Sequence, residues 1–238
     1  MQSLCYLGVM PHMHIFIPRF TRRQLMQHAL GGAATLSAPG ALANILAKPP
    51  TRTPVQTEGP FYPDKLPLDT DNDLIILNDD LTKAIGEITY LSGRILDARG
   101  EPIRGALVEI WQCDANGNYR HSQGVNGKGA PPDPHFQNFG RFLTGSSGEY
   151  LFRTIKPVAY PGRAPHIHMA VKLKGEAKFV TQCYIKGEPR NETDGVLKSI
   201  ADARQRASVL LDFDPLKDSQ AGELAARFDV VMGYTPKG

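Results

Sequence analysis

Cysteine is scarce in this 238-residue sequence, which contains three of them. Cys5 lies in the N-terminal segment, so Cys113 and Cys183 remain for a folded domain, and two cysteines do not make a disulfide framework. Each lies in a strand-like run, where a buried free thiol is the expected state. An oxidising compartment would still allow the two to pair, and the sequence leaves that open.

Acidic residues are absent before Ala43, where the charged residues are Arg19, Arg22 and Arg23. The whole chain has 27 lysines and arginines against 24 aspartates and glutamates, so the part beyond this segment has no net formal charge. A neutral domain offers no excess positive charge to nucleic acids or to a membrane surface. Neither is therefore expected as a partner.

Long apolar runs are missing as well, because the mildly apolar stretch 29–42 falls short of the roughly 20 residues that a membrane span needs. This stretch follows Arg22-Arg23 and leads to the small-x-small sequence Ala41-Leu42-Ala43. The layout is typical of a twin-arginine export signal, whereas a helix kept in the fold is disfavoured by the glycines and Pro39. We predict that residues 1–43 are a cleaved export signal and that the mature protein is periplasmic or secreted.

The rest of the chain contains no internal repeat, and alternating apolar residues rich in β-formers predict strands along it. Turns recur at the spacing of a β-sandwich, which predicts an all-β domain at residues 87–238 after an arm at 44–86. A surface loop is expected at 124–134 and a short helix within 194–203. The predicted strands are residues 87–96, 106–112, 149–154, 165–173, 177–185 and 226–232.

Two histidines separated by one residue, His166 and His168, indicate a metal site. Side chains two positions apart on a strand project from the same face, so both imidazoles can share one ion while Ile167 packs on the other side. For an isolated pair of this kind, two surface histidines on a half-buried strand would be an equally good interpretation. The preceding loop, which contains Tyr160 and Arg163 between prolines and a glycine, favours the metal site.

The phenol of Tyr160 also bears on the kind of metal. A free phenol has a pKa of about 10, so it binds as an anion only to an ion acidic enough to remove its proton. That requirement favours Fe(III) over zinc, although ligand hardness alone does not fix the metal.

Several segments of the chain resemble the intradiol ring-cleavage dioxygenases, most closely the protocatechuate 3,4-dioxygenase type. The resemblance runs in order from residue 54 to residue 231 and implies a β-sandwich core with long active-site loops. It also implies a non-haem Fe(III) dioxygenase that inserts both atoms of O2 into a catechol-type diol, cutting the ring between the hydroxyls to give a muconate-type diacid. The matching segments are residues 116–121, 139–144, 152–157 and 163–168.

The resemblance also assigns roles to individual residues. The ferric ion would be held by two tyrosines and two histidines, which are Tyr119, Tyr160, His166 and His168. Tyr160 would be the axial ligand that an arriving substrate displaces. Arg163 and Gln182 would line the substrate pocket and take part in catalysis with Tyr160.

A further segment, residues 57–62, is similar to the Thr-x-Gly-Pro sequence that the non-metal subunit of the two-subunit enzymes contributes to the pocket. Thr57, Gly59 and Pro60 are therefore predicted to contact the substrate. Since one chain contains both this lid and the iron ligands, one gene product can form the site, as a monomer or a homo-oligomer. Gly162 stands where the family often has a bulky aromatic residue, which leaves the surroundings of the substrate ring undefined.

Two classes of function remain open at this stage. The favoured one is the secreted dioxygenase, and the alternative is a secreted transthyretin-like β-sandwich binding module without catalysis. Trp111 is expected in the core, and Glu58 has no assigned role. Catechol, protocatechuate, hydroxyquinol, halogenated catechols and larger diphenols share the same chelating edge, so the sequence does not choose among them.

Overall fold

The computed structural model describes residues 49–77, 82–122 and 129–236. The predicted export signal at residues 1–43 lies outside this part of the chain, and so do residues 124–128 of the predicted loop. Within the described residues no helix is long and apolar enough to cross a membrane. The described strands are β1 (Ile88–Leu96), β2 (Leu107–Trp111), β3 (Phe139–Leu143), β4 (Glu149–Ile155), β5 (His166–Lys172), β6 (Phe179–Ile185), β7 (Leu210–Leu211), β8 (Asp214–Pro215), β9 (Leu224–Arg227) and β10 (Val230–Val231).

The strands form two five-stranded sheets, and the predicted all-β sandwich is confirmed. In the first sheet β1 pairs with β4 on one side and with β9 and β10 on the other, and β8 pairs with β9. The second sheet has the order β3-β2-β5-β6-β7. Apolar side chains of both sheets form one buried cluster, the main core, which includes Leu91, Phe152, Ile110 and Ile167.

Five of the six predicted strands are confirmed to within two residues at each end. The sixth, predicted at 226–232, is wrong as a single strand because it is split into β9 and β10. The break coincides with a contact to β1, in which the carboxylate of Asp229 accepts a hydrogen bond from the backbone N–H of Arg94 at 2.9 Å. That side chain takes the place of a strand carbonyl in the ladder beside β1. Strand β3 was not predicted.

The short helix predicted within 194–203 is confirmed, and the structure adds two further helical turns that were not predicted. A 3-10 helix, Pro189–Glu192, follows β6, and two short helices come next, α1 (Gly195–Lys198) and α2 (Ala203–Ser208). Each short helix begins after an aspartate whose side chain accepts hydrogen bonds from backbone N–H groups of the first turn, Asp194 for α1 and Asp202 for α2.

The two cysteines of the domain are buried and free, as expected. Cys183 belongs to the main core, whereas Cys113 belongs to a second buried cluster. Burial raises the pKa of each thiol to about 12, so both are held as neutral thiols.

The second buried cluster lies on the outer face of the second sheet, opposite the main core. Successive side chains of β5 alternate between the two faces, so Ile167 and Met169 enter the main core while Ala170 belongs to the second cluster. The arm before β1 covers this outer face, because Phe61 and Tyr62 pack against the cluster. The second cluster consists of Trp111, Cys113, Tyr119, Phe139, Tyr160, Ala170 and Val180.

Candidate metal centre

The two histidines of β5 are on this outer face and are almost completely buried. In the sheet register His168 lies between Trp111 of β2 and Gln182 of β6, and His166 is opposite Tyr184. The Nε2 atoms of the two imidazoles are 3.1 Å apart. The period of the strand therefore brings two nitrogen donors to one point, as the sequence predicts.

Both imidazoles are neutral bases. Burial, together with the nearby cation of Arg163, lowers the pKa of His166 to about 3. The pKa of His168 is also well below its ordinary value, because of burial and of the neighbouring His166. Since a carbonyl only accepts, the 2.6 Å contact between Nδ1 of His166 and the oxygen of Ala164 puts the ring proton on Nδ1. The lone pair of His166 is then on Nε2, the atom that faces His168.

Two phenols complete a ring of four side chains around this point. Tyr119 lies in the loop after β2 and Tyr160 in the loop before β5. The ring centroid of Tyr160 is 5.4 Å from that of His166, the centroid of Tyr119 is 6.2 Å from that of His168, and the two phenol centroids are 5.6 Å apart. These are the four residues that the family resemblance assigned as metal ligands.

The phenols are protonated in this environment. Burial raises the pKa of Tyr119 well above its usual value. It also raises the pKa of Tyr160, although the Arg163 guanidinium counteracts part of that effect. The buried hydroxyl of Tyr119 and the buried Nδ1 of His168 have no hydrogen-bond partner among the described residues. Nδ1 of His168 is the ring nitrogen that does not face His166, so of these two atoms only the unpartnered hydroxyl of Tyr119 is available for a further ligand of the site.

The donor set fits a metal ion that accepts phenolate. Among the described residues, no group of three or more His, Cys, Asp and Glu side chains could hold a metal. The two imidazoles would therefore need other donors, and the nearest candidates are the oxygens of Tyr119 and Tyr160. Two neutral nitrogens and two anionic oxygens suit Fe(III), because a trivalent ion is acidic enough to deprotonate both phenols.

Arg163 lies beside the four rings and is held in a defined orientation. Its Nη1 donates to the hydroxyl of Tyr160 at 3.3 Å, and its Nη2 donates to Oε1 of Gln182 at 2.6 Å. Its Nε donates to Asp194 at 2.8 Å. The structure thus brings Arg163 and Gln182, both predicted from the sequence, into one hydrogen-bonded group at the edge of the candidate metal centre.

The predicted lid segment lies over the same group. The carbonyl of Thr57 accepts a hydrogen bond from Nε2 of Gln182 at 2.8 Å, and the Thr57 hydroxyl accepts one from the N–H of Gly59. Gly59 has a φ of +72°, and a Cβ added there would be 3.4 Å from Cε1 of His168. Gly59 therefore lies next to His168, and its positive φ favours glycine at this position. Pro60, the third predicted lid residue, is exposed.

Three aromatic residues of the site received no functional role from the sequence. Phe61 stacks on Tyr119 with centroids 4.8 Å apart and planes at 16°. Trp111, expected only in the core, is buried as predicted, yet its ring also stacks on His168 at 4.8 Å and 9°. Tyr62 meets Trp111 edge-on at 5.0 Å. The alternation of β2 predicts only that Trp111 is buried, because its contact with His168 depends on the pairing of β2 with β5.

A buried carboxylate anchors the arm behind these rings. Glu109 is completely buried and accepts hydrogen bonds from Tyr62, Arg141 and Lys172. Glu58, which had no assigned role, pairs with Lys178. Glu58 and Glu109 thus help to attach the arm to the sheet and are not among the four candidate ligands.

Comparison with known proteins identifies the family. The family model described as Dioxygenase matches residues 57–233. The beta chain of protocatechuate 3,4-dioxygenase from Burkholderia cepacia is 35% identical over 201 residues, which cover 77% of this chain and 83% of that protein. The chain belongs to the intradiol ring-cleavage dioxygenase family. It is therefore an enzyme of the intradiol type, and a non-catalytic binding module is not favoured.

Other intradiol enzymes are similar over part of their length. Hydroxyquinol 1,2-dioxygenase from Rhizobium sp. (strain MTP-10005) is 33% identical over 156 residues, 58% of this chain and 49% of that protein. The chain therefore spans about half the length of this relative.

Solved structures of intradiol dioxygenases share the fold. The dioxygenase domain of a carbohydrate-binding fusion protein from Streptomyces sp. SirexAA-E is 28% identical, with a TM-score of 0.57 over 78% of this chain and all of that one. An intradiol ring-cleavage dioxygenase from Tetranychus urticae has a TM-score of 0.61 at 21% identity, covering 79% of this chain and 97% of that one. The latter likeness concerns the fold alone.

Proposed function

We propose that this chain is a non-haem Fe(III) dioxygenase that adds both atoms of O2 to a catechol-type aromatic diol. The ring would be cut between the two hydroxyls, giving a muconate-type diacid. The observation that carries the proposal is the convergence of two neutral imidazoles, with Nε2 atoms 3.1 Å apart, on two buried phenols. Membership of the intradiol family supports the reaction class.

The ligand roles follow from the donor atoms available. His166 and His168 would bind through Nε2, and Tyr119 and Tyr160 through their phenolic oxygens. When bound, Fe(III) would supply the Lewis acidity that lowers the pKa of these phenols and of a chelated diol. Trp111 and Phe61 stack on two of the four rings and limit their rotation.

Tyr160 is the phenol best placed to act as a base. Its hydroxyl accepts a hydrogen bond from Arg163, whereas the hydroxyl of Tyr119 has no such partner in the described part of the chain. A Tyr160 phenolate would be paired with this cation and could take a proton from the incoming diol. Arg163 would also stabilise negative charge that develops on the substrate during ring attack.

The family indicates the class of substrate, and the residues around the substrate ring would determine which member of that class is bound. Named relatives act on protocatechuate and hydroxyquinol, which share adjacent ring hydroxyls. At Gly162, between Tyr160 and Arg163, an added Cβ would meet no described atom within 4 Å. The absence of a side chain at this exposed position supports testing catechols with large ring substituents beside the simple ones.

Export and assembly are part of the proposal. Arg22-Arg23 and the weakly apolar stretch after them support passage through a twin-arginine-type route to the periplasm or beyond. The lid and the candidate ligands occur in one chain and lie together, which supports a site made without a second kind of subunit. A homo-oligomer is compatible with this arrangement.

The experiment is to express the chain from about Asn44 with iron, measure bound iron, and record the visible spectrum and O2 uptake. We expect stoichiometric iron, a burgundy tyrosinate-to-iron charge-transfer band, and O2 consumption with one or more of catechol, protocatechuate, hydroxyquinol, halogenated catechols and larger diphenols. His166→Ala and His168→Ala should each lose iron and activity together, while the control His135→Ala should keep both. A colourless protein without iron or O2 uptake would overturn the proposal.

A further inference from the structure

Asp194 is a buried carboxylate outside the set of candidate ligands, and both of its oxygens are used. It is 1% exposed and lies between the 3-10 helix and α1. Oδ1 accepts hydrogen bonds from the N–H groups of Val196 and Leu197, at 3.0 and 2.9 Å. Oδ2 accepts from Nε of Arg163 and from the N–H of Ala164, both at 2.8 Å.

The two oxygens thus have separate tasks. Oδ1 caps α1, as one oxygen of Asp202 caps α2 by accepting from Arg204 and Gln205 at 2.8 and 3.0 Å. A cap of this kind needs a single oxygen. The second oxygen of Asp194 takes no part in the cap. It binds the loop before β5 through Arg163, which is 31 residues earlier in the sequence.

Fixing Nε determines where the rest of the guanidinium points, because the group is planar and rigid. With Nε on Asp194, Nη1 faces the Tyr160 hydroxyl, and Nη2 faces Gln182 and, at 3.4 Å, the hydroxyl of Tyr184. Of the five N–H groups of the side chain, one on Nη1 then has no partner among the described residues. This N–H is on the nitrogen beside Tyr160, where the proposed function puts the substrate.

We propose that Asp194 is a positioning residue for the dioxygenase reaction, which holds the Arg163 guanidinium toward Tyr160 and the substrate. The inference rests on the proposed function, because it assigns Asp194 an effect through Arg163. Asp194 does not touch the substrate or the metal. Its carboxylate removes the freedom of the Arg163 side chain to turn away, so the cation is already aligned when charge develops on the substrate.

The test compares Asp194→Asn with Asp202→Asn in the iron-loaded enzyme. Asparagine is also a good helix cap, so both variants retain a capping oxygen. Asp194→Asn puts an NH2 group or a neutral oxygen against Arg163, and kcat should fall about 10-fold to 100-fold, as for other residues that orient a catalytic group. Iron content and the charge-transfer band should match those of the wild type. Asp202→Asn should leave kcat unchanged.

A double-mutant cycle separates positioning from a structural role. In an Arg163→Gln background, adding Asp194→Asn should change kcat by less than about two-fold, because its effect acts through the missing guanidinium. An equal loss with and without Arg163, or iron loss in step with activity, would overturn the inference. A wild-type protein without iron or O2 uptake would instead overturn the proposed function, so the two failures are distinguishable.

Discussion

At the residue scale, burial keeps His166 and His168 in the form that can bind a metal. An imidazole binds metal through a lone pair, and a ring that stays neutral in mildly acidic solution keeps its lone pair available. The same burial leaves Tyr119 and Tyr160 protonated until a cation arrives. The four side chains are therefore neutral together, which avoids uncompensated charge inside the cluster.

The neutral histidines predict how the stability of the iron-free protein depends on pH. Their pKa values are lowered in the fold, to about 3 for His166, whereas an unfolded chain has the ordinary value of about 6.5. Below about pH 6.5 the unfolded state binds protons that the folded state does not, so the free energy of unfolding falls as pH falls toward 3. The slope is at most about 1.4 kcal/mol per pH unit for each histidine, and above pH 7 their contribution is constant.

Urea unfolding of the iron-free wild type and of His166→Gln at pH 7, 6 and 5 checks this prediction. The variant should lose part of the acid slope. Parallel slopes for wild type and His166→Gln would contradict it.

The role of Tyr160 gives a second prediction at this scale. Tyr160→Phe removes the proposed base but leaves Tyr119 and both histidines, so iron should stay bound. O2 uptake should slow by about 100-fold or more, since proton transfer by a positioned group contributes at least that much. Iron analysis and stopped-flow spectra of diol binding measure both quantities. Tyr90→Phe is the matched control, because its hydroxyl donates to Glu223, which precedes β9 of the other sheet. Loss of iron in Tyr160→Phe with unchanged chemistry in the remaining loaded enzyme would argue against this role.

At the element scale, the arm and β6 form one unit over the candidate metal centre. The side chain of Gln56 donates to Thr181 and to the carbonyl of Gln182, and it accepts from Tyr184 at 2.8 Å. Its backbone N–H also donates to the carbonyl of Val180. The arm residues that follow, including Gly59 over His168, are therefore held by polar contacts to a central strand of the sheet.

Removing the side chain of Gln56 should loosen this unit. Gln56→Ala removes three buried hydrogen bonds to β6, and we expect the free energy of unfolding to fall by about 1–3 kcal/mol. Activity should fall as well, because Thr57 and Gly59 lose their fixed position. The neighbouring Val55 is 73% exposed, so Val55→Ala should change stability by no more than about 0.5 kcal/mol. Urea unfolding, limited proteolysis of the arm and O2 uptake measure these effects. Equal effects of both substitutions would refute the anchoring role.

At the scale of the whole molecule, the catalytic domain and the predicted export signal are encoded by separate parts of the sequence. The described ligands, lid and pocket residues all lie beyond residue 49. The signal at residues 1–43 lies outside the described residues, and export remains a prediction from Arg22 and Arg23.

Changing the arginine pair should affect location alone. Arg22→Lys with Arg23→Lys should leave the protein in the cytoplasm, loaded with iron and active. The two arginines are predicted to direct the export of the folded enzyme and do not contribute to its site. Cell fractionation with iron and O2-uptake assays on each fraction tests this. The chain from about Asn44 should also be active without a distinct second subunit. Activity that needs such a partner would mean that residues 57–62 are not a working lid.

The amino-acid sequence by itself determined the period-two pattern of the strands and therefore which side chains share a face. That period is local, so His166 and His168 could be paired from their spacing, and Ile167 could be assigned to the other face. The motifs of the family added Tyr119, Tyr160, Arg163 and Gln182. The resemblance also identified the lid, although the position of Gly59 next to His168 is seen only in the structure.

Only the tertiary structure decided which residues support that site. Asp194 meets Arg163 across 31 residues, and Tyr62 meets Glu109 across 47. Trp111 stacks on His168 because β2 and β5 are neighbours in the sheet. Such contacts depend on strand order, register and loop path, which are set by the packing of the whole domain and have no period along the chain. The split between β9 and β10 likewise coincides with such a contact, in which the carboxylate of Asp229 accepts from a backbone N–H 135 residues earlier.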